Sequence, residues 1–293
     1  NVEFKKPQLP EADWVSANLL ASTTNRYEAN ADATLKLSKR WSTSLLAHYE
    51  NETKAHDGND DGFVDIPQVE QYNVWNRWAY MGDHYVFQAG IKALSETRTS
   101  GQANHGGTMH SGDLYKVAID TERYEFFTKN AYIFNKEKNT NLALILSTTL
   151  HNQDATYGRK LYNVDQTNVY ASLMFETEFN PQNSFSAGLS FNYDAYDQHY
   201  RLENTTDNPL KAFEKEAVPG AYVQYTLNLN DKWMVMAGLR GDYSNEHGFF
   251  VTPRAHLKYN PNEYVNFRLS AGKGYRTNHV LAENNYLLSS SRK

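Results

Sequence analysis

Cysteine is absent from the 293 residues, which removes disulfide staples, a thiolate nucleophile and any cysteine-based zinc site together. No apolar run approaches the roughly 18 residues of a membrane-spanning helix. A dominant charge sign is missing too, because 29 basic and 34 acidic residues are interspersed and leave a formal net charge of -5. Nucleic acid demands a basic face that neutralises phosphates, so no nucleic-acid partner is expected. None of these absences excludes a membrane β-barrel, whose strands turn only every second residue toward lipid.

What the chain has in quantity is aromatic residues, 14% of the total with 21 Tyr. Aromatic side chains lie well on a pleated surface and lose rotamer freedom in a helix, so the composition favours strands. The residue order agrees. Across 233–243, Trp233, Val235, Ala237, Leu239 and Tyr243 share one face, while Met234, Met236, Arg240 and Asp242 share the other. The same alternation recurs at 185–194, 221–229, 251–259 and 265–272. One face is apolar, and the other is polar with charges in mid-strand. Aromatics gather near strand ends, at Trp41 and Tyr49, Phe175 and Phe179, Trp233 and Tyr243, as the interfacial belts of a membrane barrel require.

The spacing predicts about 13 strands of roughly 11–15 residues. They fall near 13–22, 26–37, 41–53, 68–80, 84–97, 121–134, 139–152, 165–179, 184–199, 216–229, 232–245, 250–260 and 264–276. Short turns alternate with long loops at 54–67, 98–120, 153–164 and 200–215, the asymmetry of an outer-membrane barrel with short periplasmic turns and long exterior loops. A soluble sandwich or propeller is the competing reading. Sandwich strands run shorter, about 5–6 residues, and no repeated blade motif is visible. The expected fold class is therefore all-β, a transmembrane antiparallel β-barrel. An odd strand number does not close a bacterial barrel, so residues 1–293 are expected to be one partial barrel domain, with closing strands elsewhere.

Two stretches, LSAGKGYRTNHVLAEN at 269–284 and 57–67 followed by Gln71, Asn76, Arg77 and Trp78, resemble a known family, the TonB-dependent outer-membrane transporters of Bacteroides-like bacteria. In LSAGKGYRTNHVLAEN, the residues Gly272, Lys273, Gly274, Tyr275 and Arg276 resemble a late barrel strand of that family, followed by a loop acid at Glu283. The second stretch, 57–67 followed by Gln71 and Asn76, Arg77 and Trp78, is similar to an early loop-and-strand pair. The resemblance implies a barrel of about 22 strands. It also implies energised uptake of a scarce bulky nutrient (cobalamin-like, haem, metal chelate or glycan) bound at exterior loops. The partners it implies are outer-membrane lipid, a plug domain of the same protein, the energy-coupling TonB protein and a neighbouring surface lipoprotein. No plug domain, coupling box or closing strands are recognisable in these residues. A passive porin or structural barrel is the alternative function.

DGNDDGFVD carries a different signal. Asp57, Asn59, Asp61 and Asp65 stand at positions 1, 3, 5 and 9 of a twelve-residue calcium loop, with Gly62 at the sharp turn. Gln68 takes position 12, where a bidentate Glu belongs. Flanking strands exclude helix-loop-helix geometry, and two readings stay open: a calcium loop on the cell exterior, or a solvated acidic loop. The resemblance favours calcium, since the family's cobalamin transporter uses such a loop.

Further ligand candidates are His105, Met109 and His110 in the Gly-rich loop 98–120, where imidazole and thioether suit haem or a soft metal. Tyr196 and Tyr200, with Phe249 and Phe250, lie near the predicted exterior rim, where they either stack on a ligand or belong to the aromatic belt. Glu176 and Glu178 imitate a carboxylate pair, but no nucleophile elbow accompanies them, and no enzyme is expected.

Overall fold

Backbone groups that cross a membrane have no water to bond, so each must pair within the protein. The computed structural model describes residues 14–103, 114–203, 207–230 and 232–290, and it meets that demand with one sheet. Its thirteen strands run in sequence order, each antiparallel to its neighbours. They are β1 (Val15–Ala21), β2 (Tyr27–Lys36), β3 (Trp41–Glu52), β4 (Gln68–Met81), β5 (Tyr85–Gly101), β6 (Lys116–Asn135) and β7 (Thr140–Tyr157), followed by β8 (Lys160–Asn180), β9 (Asn183–Arg201), β10 (Leu210–Leu229), β11 (Trp233–Ser244), β12 (Gly248–Asn262) and β13 (Val265–Gly272). A short helix α1 (Val280–Asn284) and a 3-10 turn (Asn285–Ser289) follow.

The predicted alternation sets the two faces. Leu173 lies opposite Leu189 across β8 and β9, and Val223 opposite Leu239 across β10 and β11, all four exposed on the outer face. The inner face is polar: Lys92 reaches Glu125 at 3.6 Å, and Arg77 lies 5.3 Å from the centre of the Trp75 ring. Aromatic pairs belt the outer face near the short turns, with Trp41 and Tyr80 at 5.1 Å and Trp233 stacked on Tyr259 at 3.9 Å. Tyr49 and Tyr72, 4.9 Å apart, stand toward the other end. Asn76 is a polar residue on the lipid-facing side, and its amide is fully engaged. Trp78 Nε1 donates to its Oδ1 at 2.6 Å, and its Nδ2 donates to Ser44 O at 3.1 Å. Such pairing removes most of the cost of placing an amide in hydrocarbon.

One end of the sheet has connections of two to four residues, at 37–40, 82–84, 136–139, 181–182, 230–232 and 263–264. The other end differs from the expected loops. The strands β5 to β10 run for 17 to 21 residues, well beyond the roughly 9–11 that cross a bilayer. Their projecting parts turn polar outward, as at Asp165 and Asp197. The loop expected at 98–120 shrinks to 102–115, and that at 200–215 to 202–209. The loop expected at 153–164 is a two-residue turn, Gly158 and Arg159, with Tyr157 paired to Lys160. Outside lipid the apolar alternation is no longer imposed, so these polar strand ends resemble loops in sequence. Strand β13 also stops at Gly272 rather than 276, because Lys273 to Arg276 leave the sheet.

The tight turn rests on Gly158, whose φ of 63° at the first of two loop residues is the signature of a II′ hairpin. A Cβ there would stand 3.0 Å from the Tyr115 ring. Gly158→Val is expected to lower unfolding free energy by about 1–3 kcal/mol, the cost of forcing a branched residue into that conformation. It is also expected to create a protease-sensitive site between Tyr157 and Lys160 in the membrane-embedded protein, read by peptide mapping.

Candidate functional site

The acidic loop lies between β3 and β4 and is anchored at its far side. Phe63 bridges to Gln102 beyond β5, Val64 N–H donates to Gly101 O at 2.8 Å, and Ala103 N–H donates to Gly62 O at 2.8 Å. Inside the loop the carboxylates accept backbone donors. Asp57 takes the N–H of Asp61 at 3.2 Å and of Gly62 at 2.9 Å, Asp65 takes Gly58 N–H at 2.6 Å, and Asp61 takes Phe63 N–H at 2.9 Å. Asn59 Nδ2 donates to Asp61 at 3.1 Å. Gln68 faces elsewhere, its amide donating to Thr53 O and its Oε1 accepting from Thr99 at 3.2 Å. Among the described residues, no group of three or more His, Cys, Asp or Glu side chains is arranged to hold a metal. The four residues at positions 1, 3, 5 and 9 share one loop, where they form a ring of turn-stabilising acceptors. They do not make a ready-made calcium cage.

A second site occupies the inner face of β8, β9 and β10 where these strands project. Tyr162, Val164 and Tyr196 form a buried cluster there, with Tyr200 packed beside it. Tyr162 OH donates to Gln198 Oε1 at 2.8 Å, and Gln198 Nε2 donates to Glu214 Oε1 at 2.9 Å. Gln198 is 1% exposed, and Tyr196 OH accepts from Gln166 at 3.0 Å. Burial pushes the Tyr162 hydroxyl well above the usual phenol range, and the nearby Glu214 carboxylate adds to it. Burial, then Asp194, Glu214 and Glu283, raises Tyr196 to about 12. Both phenols therefore serve as neutral hydrogen-bonding groups.

The cover over this cluster is the segment after β13. Leu281, Ala282 and Leu288 pack on the Tyr162 and Tyr196 cluster. The His279 ring lies 4.4 Å from the Tyr196 ring and its Nδ1 is 3.2 Å from Glu214 Oε2. Tyr275 stacks on Phe250 at 4.1 Å. Tyr196, expected near the exterior rim, is thus covered by the chain itself, and Tyr200 packs beside it. Phe250 shares that inner surface, whereas Phe249 faces outward and is exposed. Glu214 escaped sequence reasoning because 200–215 reads as a loop, and Gln198 and Glu216 stand at the outer edges of the strands expected at 184–199 and 216–229, where they were not singled out. Their only signal is the two-residue spacing of Gln198 from Tyr196.

The charged ladder continues along the inner wall. Arg240 holds Asp242 through two bonds of 2.6 and 2.7 Å and reaches Ser190 at 2.8 Å, so the buried carboxylate is neutralised. Gly220 makes this possible, since a Cβ there would lie 2.0 Å from Asp242 Oδ1. Glu176 and Glu178 line a cleft of about 190 Å³ at the short-turn end, with Asn139 donating to Glu178 at 2.6 Å. His105, Met109 and His110 lie outside the described residues.

Gln198→Leu strands the Tyr162 hydroxyl in a buried site, which costs about 1–3 kcal/mol. The expected result is a lowered unfolding midpoint for Gln198→Leu that is largely recovered in the Tyr162→Phe, Gln198→Leu double variant. Additive losses would show that the two side chains do not act as a pair.

Residues 6–289 match the family model described as TonB dependent receptor-like, beta-barrel. No curated protein matches significantly. Among solved structures, the chain is similar to the ferripyoverdine receptor of the outer membrane of Pseudomonas aeruginosa, at 10% identity, 87% of this chain and 41% of that one, TM-score 0.66. It is also similar to the siderophore receptor PiuA from Acinetobacter baumannii, at 12% identity, 87% and 48% coverage, TM-score 0.64. The copper transporter OprC matches at 11% identity, 88% and 44% coverage, TM-score 0.66. The chain spans less than half the length of these structures. It belongs to the TonB-dependent receptor β-barrel family, whose members are receptors of the Gram-negative outer membrane rather than enzymes.

Proposed function

We propose that this chain is the wall of an outer-membrane receptor for energised uptake of a scarce, bulky nutrient bound at the extended rim. The family match over 6–289 carries the reading. The polar inner face supports it, because a barrel that passes a large solute past a plug needs a hydrated, charged wall. A metal chelate is the preferred cargo, since similar structures include a siderophore receptor, a ferripyoverdine receptor and a copper transporter. The partners in this reading are a plug domain, the TonB protein acting through it, outer-membrane lipid and a surface lipoprotein. Uptake of labelled ferric chelates, haem and cobalamin is the test, in strains lacking this gene or the energy-coupling protein. One cargo class is expected to fall to the same low level in both strains. Uptake that persists without energy coupling, or a general loss of small-solute entry, would favour a passive porin.

We also propose that the acidic loop takes calcium through Asp57, Asn59, Asp61 and Asp65, without Gln68, whose amide is engaged with Thr53 and Thr99. Binding requires the carboxylates to exchange backbone donors for the ion, so the affinity belongs in the weak range of extracellular modules, about 10⁻⁴–10⁻³ M. Calorimetry of the full receptor is expected to show calcium binding that disappears in Asp61→Ala. No heat up to about 10 mM calcium, well above that range, would falsify the assignment.

A further inference from the structure

We infer that residues 273–290 form a latched strap across the inner wall, held shut by His279 and tightened by acid. Lys273 N–H donates to Pro253 O at 3.0 Å, and the chain then leaves β13 and runs back over its neighbours. Tyr275 stacks on Phe250 of β12, and Thr277 Oγ1 lies 3.5 Å from Glu216 of β10. His279 rests between the Tyr196 ring of β9 and the Glu214 carboxylate of β10. The far end is tied twice more, by Tyr115 OH to Ser289 O at 2.8 Å and by Lys160 Nζ to Ser290 O at 2.7 Å. A covering segment fixed at both ends and in its middle is a closed state of the wall.

The middle contact is the one that responds to pH. His279 contacts Tyr196 of β9, Glu214 of β10 and Glu283 of the strap, and the elements packed around it also carry Asp194 and Tyr200 on β9, Glu216 on β10, Tyr162 on β8 and Arg276 on the strap. Arg276 is already paired with Glu283 at 2.5 Å, and Glu283 also accepts the His279 backbone N–H at 3.2 Å. Glu214 Oε1 is held by Gln198, so its Oε2 is aimed at the imidazole. An imidazolium donates a charge-assisted bond to that oxygen, whereas a neutral ring offers only an ordinary one. Closure is therefore favoured when the imidazole is protonated and weakens when it is neutral.

The inference is independent of the cargo and rests on strap geometry alone. The absence of native Cys in this chain allows single thiols to report on it. In the full receptor in intact cells, with any other cysteine removed, Ala282→Cys places a thiol beneath the strap, and Leu287→Cys places one on its exposed side. Reaction with a membrane-impermeant maleimide is read as the ratio of the two rates at each pH, which cancels the intrinsic pH dependence of thiols. The ratio is expected to be well below one at pH 6 and to rise about two- to fivefold at pH 8, the span of a partly exposed ion pair. His279→Gln and, from the wall side, Glu214→Gln are each expected to give the higher ratio at both pH values. A ratio near one at both pH values would overturn the strap. A low ratio that ignores pH, or a pH response that survives both substitutions, would overturn the latch.

Discussion

Backbone pairing in a medium without water is the constraint from which the rest of this structure follows. Each strand from β2 to β12 gives its N–H and C=O groups to two neighbours, so eleven of the thirteen are satisfied on both edges within the described sheet. Strands β1 and β13 have one unpaired edge each, which a bilayer tolerates only when further strands or covering chain take it up. With the backbone satisfied by the sheet, side chains sort by period two. Apolar groups face lipid, and the polar remainder is confined to the inner face. Polar residues that face outward have their amides engaged: Asn76 by Trp78 and Ser44, and Asn130 by the Tyr85 hydroxyl at 2.6 Å.

Beyond the bilayer the same strands obey different physics. Water now competes for every polar group, and the projecting sheet gains stability from packing on its inner side instead of from burial in lipid. The inner surface of β8 to β10 shows how. Tyr162, Val164 and Tyr196 supply apolar area, and Gln198 joins the Tyr162 hydroxyl to Glu214 so that no polar tip in that chain is left unbonded. The strap completes the cluster with Leu281, Ala282 and Leu288, and places His279 where aromatic stacking and ionic contact meet.

The membrane portion was legible in the sequence because lipid imposes a strict rule on alternate residues. All thirteen strands and the short turns at one end of the sheet could be read from alternation and from polar breaks such as Gly82-Asp83 and Asn230-Asp231, whereas the tight turn at Gly158 and Arg159 could not. The projecting strand ends were not, since 153–164 and 200–215 are rich in Asn, Asp, Gln, Glu and Lys that suit a solvated strand as well as a loop. The acidic loop was legible as a spacing of oxygens, but the backbone donors that occupy those oxygens depend on its docking against β5, which no local pattern records. Tyr196 was singled out as an aromatic near the predicted exterior rim. Its covering lies 83 residues later, at His279, and such a long-range contact leaves no trace in spacing.

The acidic loop and the far end of the strap are joined through one pair of strand ends. The acidic loop pairs with the end of β5 through Gly101 and Ala103. Gln102 N–H, between them, donates to Tyr115 O at 2.8 Å, while Gln102 Oε1 accepts Tyr115 N–H at 2.7 Å. Tyr115 OH then donates to Ser289 O at the end of the strap. Loop, strand end, Tyr115 and strap are consecutive links, so a force that frees the strap from Tyr115 acts on the residues that also anchor the acidic loop.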